Sequence, residues 1–273
     1  MSESAELFAR EATIGAQGVF YDQGPRNWLP KKWKQLRELF AKYRKDIGLL
    51  EEAVELQKRW MGDLSRKRVL DLGAGDGNVL SMYIARSCHE YVAVDLSARR
   101  IGILQEKLRR AGLENAIAEV RDAMAEDWPH GEFDIIYSSS VLNAFRDTES
   151  AIRMLKKRLR PGGIVVAWEP LKTSWLNIFV RGLYRPFQPD RSWHWPLSRK
   201  TLRLYSSEFE IKAVQGMLGW SKWGFLLYLC PGLRAAGVKL GRKLAGLDRR
   251  NATQLGTGLW SCHQVVILMR KSD

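Results

Sequence analysis

Three glycines at alternate positions, Gly73, Gly75 and Gly77, end an apolar run and open a helical one in the segment VLDLGAGDGNVL. Glycine lets a backbone turn tightly where a side chain would block a ligand. Val69, Leu70 and Leu72 supply a short buried strand, and Asn78 to Arg86 continue as a helix, so the glycines mark a strand-turn-helix. The dinucleotide fingerprint G-x-G-x-x-G is not met: the third glycine comes one residue early, and Asn78 stands where that motif requires glycine. Asp71 and Asp76 flank the turn, repelling a pyrophosphate and suiting a cationic ligand. The glycines alone leave open an ordinary strand-to-helix connection.

Further carboxylates follow at the ends of further strands. Tyr91 to Leu96 reads as a second strand that ends in Asp95, placed to accept hydrogen bonds from two ribose hydroxyls. Asn115 to Val120 reads as a third, followed by Arg121, Asp122, Ala123 and Met124, with Asp122 suited to an adenine amino group. Phe133 to Ser140 is a fourth strand, and Leu155 to Pro170 a helix, a Pro-Gly-Gly turn and a fifth strand. S-adenosylmethionine, with its sulfonium and ammonium charges, fits this set. Singly, Asp95 and Asp122 could cap helices and Ser138 to Ser140 could pack beneath a loop. Their order along alternating strands and helices favours a site at the carboxyl ends of a doubly wound sheet.

From Arg66 to Pro170 these motifs resemble the class I S-adenosylmethionine-dependent methyltransferases, close to the branch of quinone- and lipid-directed enzymes. The resemblance implies an α/β, Rossmann-like, doubly wound sheet of seven strands, mostly parallel with an antiparallel last strand. It also implies S-adenosylmethionine as cofactor. Asp71, Gly73, Ala74, Gly75 and Gly77 would surround its methionine portion, Asp95 and Leu96 the ribose, and Asp122, Ala123 and Met124 the adenine. Ser139 and Ser140 would close the pocket. The branch often reads Leu-His-His after the fourth strand; here Leu142 is followed by Asn143 and Ala144, which removes an imidazole base at that point.

The formal net charge is +14, and it is uneven. Residues 171–273 hold 17 of the lysines and arginines against five carboxylates, and six of the eleven tryptophans. Basic residues mixed with tryptophan suit an anionic membrane surface or a nucleic-acid strand. Cys88, Cys230 and Cys262 lie far apart, which suggests neither a zinc site nor a disulfide framework and makes a reducing compartment the default. The first residues lack the basic start and apolar run of a signal peptide, so a cytoplasmic protein is expected.

Four regions follow. Residues 1–65 are expected to form an N-terminal helical cap, with an apolar stripe of Trp33, Leu36, Phe40, Tyr43 and Ile47 that packing alone would explain. Residues 66–170 form the cofactor-binding core. Residues 171–205 are read as a substrate lid. Residues 206–273 hold the last strands, Phe209 to Met217 and Trp260 to Met269, around an insertion at 218–255. There Trp220, Trp223, Phe225 and Tyr228 precede Leu233, Gly237, Leu240, Leu244 and Leu247 at helical spacing, with basic residues on the other faces. Such a helix lies in a membrane interface or packs on the sheet as a crossover; segments 171–187 and 218–250 are the membrane-facing candidates.

A sulfonium methyl is already activated, so the protein must align an acceptor and exclude water. For a hydroxyl acceptor His194 is the best base by residue type, with Glu169 and Tyr21 as alternatives; a packing role for His194 is also open. The segment SSSVLNAF lacks the Asn/Asp-Pro-Pro-aromatic signature of nucleic-acid amino methyltransferases, and no cysteine lies between Cys88 and Cys230 to act as a base-methylating nucleophile. The expected acceptor is an apolar or amphiphilic small molecule, a quinone, polyprenyl or lipid-linked compound methylated on oxygen or carbon. An RNA-directed enzyme and a non-catalytic cofactor-binding partner protein are the rival readings.

Overall fold

The computed structural model describes residues 28–174, 178–179 and 195–271. Seven strands, β1 (Arg68–Leu72), β2 (Glu90–Asp95), β3 (Ala116–Val120), β4 (Phe133–Ser139), β5 (Leu159–Pro170), β6 (Glu210–Met217) and β7 (Gln264–Arg270), form one sheet in the order β3-β2-β1-β4-β5-β7-β6. β7 runs antiparallel to both its neighbours and the other pairs are parallel. The expected seven-stranded doubly wound sheet is therefore present. The chain winds outward from β1 in both directions, leaving a crevice between the carboxyl ends of β1, β2 and β4.

Strand periodicity assigns the two faces. Leu70, Leu72, Val92, Val94, Ile136 and Val165 pack with α5 (Thr148–Arg158), α6 (Arg199–Glu208) and α9 (Thr257–Trp260). Their neighbours Val69, Tyr91, Ala93, Ile135 and Tyr137 pack on the other face with α2 (Leu49–Met61), α3 (Val79–Ser87) and α4 (Ala98–Arg110). Because each strand is buried on both sides, these runs are continuously apolar. Asp71 is the carboxylate in the middle of that pattern.

Two details differ from expectation. The Pro-Gly-Gly turn lies inside β5: pairing jumps from Phe133 with Leu159 to Ile135 with Ile164, and residues 160–163 bulge outward. Trp260 ends α9, and the last strand starts at Gln264.

A third apolar cluster joins the two ends of the chain. Tyr43 of α1 (Trp28–Asp46) and Ile47 just after it pack with Leu49, Ala53, Met217, Tyr228 and Val266. Phe225 of α7 (Gly224–Tyr228) stacks edge-on against Phe40, 4.9 Å between ring centres. The C-terminal insertion continues as α8 (Arg234–Asn251), the expected basic helix, but of the expected stripe only Gly237 is fully buried, with Leu240 and Leu244 half-buried. Gly237, Gly241, Ala245 and Asp248 are buried, whereas Leu233 and Leu247 stay 47% and 40% exposed. A methyl group at Gly237 would lie 2.7 Å from the Tyr228 backbone nitrogen, so the absence of side chains lets α7 and α8 approach closely.

Candidate cofactor and active site

At the switch point of the sheet lies a cavity of about 310 Å³. Among the predicted residues, Gly73, Asp95, Leu96, Asp122, Ala123, Ser139 and Ser140 line it. Each is the last residue of β2 or β4 or lies in the loop that follows β1, β2, β3 or β4, so the strand ends do the positioning. Gly73 has φ +64, and a side chain there would run into Val141 across the cavity mouth.

The turn is tied to the ribose candidate. The Gly75 backbone N–H donates to Asp95 Oδ2 at 2.9 Å, and the Ser97 N–H donates to Asp95 Oδ1 at 2.9 Å. A carboxylate has about four acceptor positions, so two remain for vicinal hydroxyls. Asp122 Oδ1 accepts the Met124 N–H at 2.9 Å, while its Oδ2 is buried with no partner. An unsatisfied buried acceptor on a cavity wall is a place for a ligand N–H.

Other predicted residues stand behind the wall. Asp71 is buried and accepts the Tyr91 hydroxyl at 2.6 Å; burial pushes its pKa up to about 6, against the opposing pull of its hydrogen bonds. That bond ties β1 to β2 two residues before the turn. The Ala74 N–H donates to the Val94 carbonyl at 3.1 Å, and a side chain at Gly77 would strike Leu104 of α4. Met124 packs at the edge of the core. The remaining carboxylate of the turn, Asp76, is exposed and 3.6 Å from Lys107 Nζ.

Glu169, proposed from sequence as a base, sits in a different role. It is fully buried, and its carboxylate accepts from the backbone N–H groups of Val141, Leu142 and Asn143, from Asn143 Nδ2 and from Ser138 Oγ, at 2.9 to 3.2 Å. Burial raises its pKa while these donors work in the opposite direction. Five donors occupy its acceptor capacity, so it clamps the loop after β4. Within that loop Ser140 takes φ 60, an unfavourable conformation for a residue with a Cβ, and its N–H donates to the Trp168 carbonyl at 2.9 Å. Tyr21 and His194 lie outside the described residues.

Sequence reasoning missed Arg100, Arg121, Val141, Ala144 and Phe145, all on the wall. Arg121 adjoins Asp122, and Arg100 lies in the first turn of α4, the helix that follows Asp95, so both were within reach of a search around the carboxylates. The apolar trio had no polar signature.

Crevice, carboxylate pair and glycine turn define a nucleoside site of the class I methyltransferase type, and the orphan Asp122 oxygen beside Asp95 fits S-adenosylmethionine. The model of the methyltransferase-domain family matches residues 28–216, and the chain belongs to that S-adenosylmethionine-dependent family. The demethylmenaquinone methyltransferase of Thermus thermophilus is 35% identical over 104 residues, 38% of this chain and 47% of that protein. The ubiquinone biosynthesis O-methyltransferase of Methylococcus capsulatus is 29% identical over 103 residues, 37% of this chain and 43% of that one. The match thus spans less than half the length of these relatives. Among solved structures, the N-methyltransferase NodS from Bradyrhizobium japonicum, in complex with S-adenosyl-L-homocysteine, shares the fold with a TM-score of 0.53 at 14% identity, over 82% of this chain and 87% of that one.

Proposed function

We propose that the chain transfers a methyl group from S-adenosylmethionine to an oxygen or carbon of an apolar or amphiphilic small molecule, of the quinone, polyprenyl or lipid-linked kind. The observation that carries this reading is the apolar side of the cavity after β4, where Val141, Ala144 and Phe145 stand in place of an acidic or imidazole group. The names of the two quinone-directed relatives agree with it.

When bound, the cofactor supplies a methyl already activated on sulfur. Asp95 would hold the ribose hydroxyls and Asp122 Oδ2 the adenine amino group. Asp71 ties β1 to β2 just before the glycine turn, whose Gly73, Gly75 and Gly77 would permit close approach of the methionine portion. Ser139 and Ser140, between the residues that Glu169 holds and with the Ser140 N–H on the Trp168 carbonyl, form the wall nearest the acceptor. Rigid placement of the acceptor then supplies much of the barrier reduction. In this reading Glu169 is a positioning residue, and His194 and Tyr21 remain the side-chain bases to test.

The acceptor's character also suggests a membrane-peripheral enzyme on the cytoplasmic side. Trp220, Trp223, Leu226, Leu229, Leu233 and Leu247 are all exposed on α7, α8 and the turns beside them. Lys239, Lys243 and Arg250 of α8 have no ion pair among the described residues, whereas Arg242 donates to the Asp46 carbonyl and Arg249 pairs with Glu52 at 2.7 Å. No helix of the described residues is long and apolar enough to cross a membrane. Each free cation near an anionic surface contributes about 1 kcal/mol. The triple change of Lys239, Lys243 and Arg250 to glutamine is expected to abolish most sedimentation with phosphatidylserine vesicles; a wild type that does not sediment sinks the membrane part.

The test of the reaction is incubation with methyl-labelled S-adenosylmethionine and membranes of the host, followed by phase separation. Label in the organic phase supports the reading. Label in RNA or protein overturns the acceptor class, and cofactor binding without any labelled product overturns catalysis.

A further inference from the structure

The loop after β3, which brings Asp122 and Ala123 to the cavity wall, has a buried guanidinium behind it. Arg158 ends α5 and is only 4% exposed. Its Nη2 donates to the Ala123 carbonyl at 3.1 Å and to the Ala125 carbonyl at 2.6 Å, and its Nε reaches the Ala123 carbonyl at 3.3 Å. The guanidinium lies over the Trp128 ring, 4.3 Å from its centre. Burial lowers the Arg158 pKa, and attraction to the Asp122 carboxylate works in the opposite direction. A well-packed apolar residue would hold α5 against this loop at less cost than a buried cation. The use of the cation therefore lies in what it does to the loop.

The turn is otherwise closed on itself. Asp122 Oδ1 accepts the Met124 N–H at 2.9 Å, and the Ala125 N–H donates to the Asp122 carbonyl at 3.1 Å. Those two bonds satisfy donors of the turn, and Arg158 satisfies the carbonyls of Ala123 and Ala125 that neither strand nor helix reaches. What is left over is Asp122 Oδ2, buried without a partner on a residue of the cavity wall. With one oxygen bound inside the turn and the next residue pinned from behind, this carboxylate cannot swing aside for a mismatched ligand. Ionised, it accepts hydrogen bonds and donates none.

We propose that Arg158 is a positioning residue that sets the base selectivity of the cofactor site. By pinning the 122–125 turn it fixes one free acceptor oxygen, so that the site takes a purine with an exocyclic amino group and rejects one with a carbonyl in its place. The amino group donates to Asp122 Oδ2, whereas a carbonyl there sets two acceptors against each other. Arg158 does not touch the cofactor; it acts through Asp122 and Ala123. This deepens the proposed cofactor placement and rests on Asp122 as the contact of the base.

The probes are S-adenosylhomocysteine and S-inosylhomocysteine, which carries a carbonyl oxygen in place of the amino group. Each is titrated calorimetrically into the full chain and its variants. The wild type is expected to prefer the adenosyl form about a hundredfold. Arg158→Met, which keeps the bulk and loses the donors, should cut that preference about tenfold, mostly through weaker binding of the adenosyl form. Arg158→Lys keeps the charge without the fork that spans two carbonyls and should fall between the two. Gly241→Ala, far from the cavity, is the control for stability: it should lower the melting temperature and leave the preference within about twofold of wild type. If neither Arg158 variant folds, Trp128→Leu, which removes the ring beneath the guanidinium, decides in the same way, with a loss of about threefold expected. A preference within about twofold of wild type in the folded variants overturns the role of Arg158; its loss in Asp122→Ala would then leave the base contact standing. A wild type that binds both forms equally, or a preference that survives Asp122→Ala, overturns the base contact and the role of Arg158 with it.

Discussion

Two loops of this protein are each held by one buried carboxylate, and they serve opposite surroundings. Glu169, on β5, gathers the backbone of residues 141–143 together with the side chains of Ser138 and Asn143, and thereby shapes a ligand wall. Asp248, on α8, accepts from the N–H groups of Gly219, Trp220 and Ser221 and from Ser221 Oγ, at 2.6 to 3.1 Å, and thereby presents Trp220 to solvent with 53% of its surface exposed. The device is the same: a carboxylate satisfies consecutive backbone donors that no strand or helix can reach. What differs is the loop's outer side, a cavity in one case and an exposed aromatic surface in the other. A buried acid in a fold of this kind is therefore not evidence of acid-base chemistry until its donors have been counted.

Removing either acid should separate the two regions. Glu169→Ala leaves three buried N–H groups without an acceptor and is expected to cost about 3–5 kcal/mol in urea unfolding. It should also weaken S-adenosylhomocysteine binding more than tenfold in calorimetry, because the wall relaxes. Asp248→Ala should destabilise by about 3 kcal/mol in the same unfolding measurement, yet leave that affinity within about twofold and instead reduce vesicle sedimentation. Equal loss of cofactor affinity in both variants would break the distinction.

The cofactor region can be sharpened through Asp95 and Asp71, the one facing the cavity and the other behind it. Asp95→Ala should weaken S-adenosylhomocysteine by about a hundredfold, roughly 2.7 kcal/mol, without unfolding the protein. Asp71 acts through pH. Its folded pKa, about 6, is raised above the unfolded value near 4, so the native state holds the proton more tightly. Its contribution is complete below pH 4 and is lost as pH rises through 6, a decline of about 2–3 kcal/mol. Urea unfolding of wild type and Asp71→Asn across pH 4 to 7 should show that decline only in the wild type. The smallest effect belongs to the surface region: Gly241→Ala would press a methyl group against Tyr43 and is expected to destabilise by about 1–3 kcal/mol, with cofactor affinity unchanged.

The cofactor half was largely legible in sequence because each of its residues is fixed by local geometry. A glycine needing positive φ, an acid at the end of an apolar run and the alternation of strand and helix all leave marks within a few positions. The C-terminal insertion was legible as a helix but not as a surface: its leucine spacing left a membrane interface and packing on the sheet both open, and the structure buries its small residues most deeply. Small residues carry no hydrophobic signal, and only the partner helix shows that Gly237 and Gly241 are where backbones meet.

By itself, the sequence determined the first strands and the carboxylates Asp95 and Asp122 at their ends through short-range periodicity and turn chemistry, and its resemblance to a known family supplied the seven-stranded sheet and the cofactor. Only the tertiary structure decided what Glu169 does, that Asp71 stands behind the wall, and that Arg158 comes to lie over Trp128. These depend on partners 20 to 35 residues apart, or on which side of a strand a neighbouring loop closes. A side chain's role in such places is set by the groups left to satisfy it after folding, and those groups are not its neighbours in the chain.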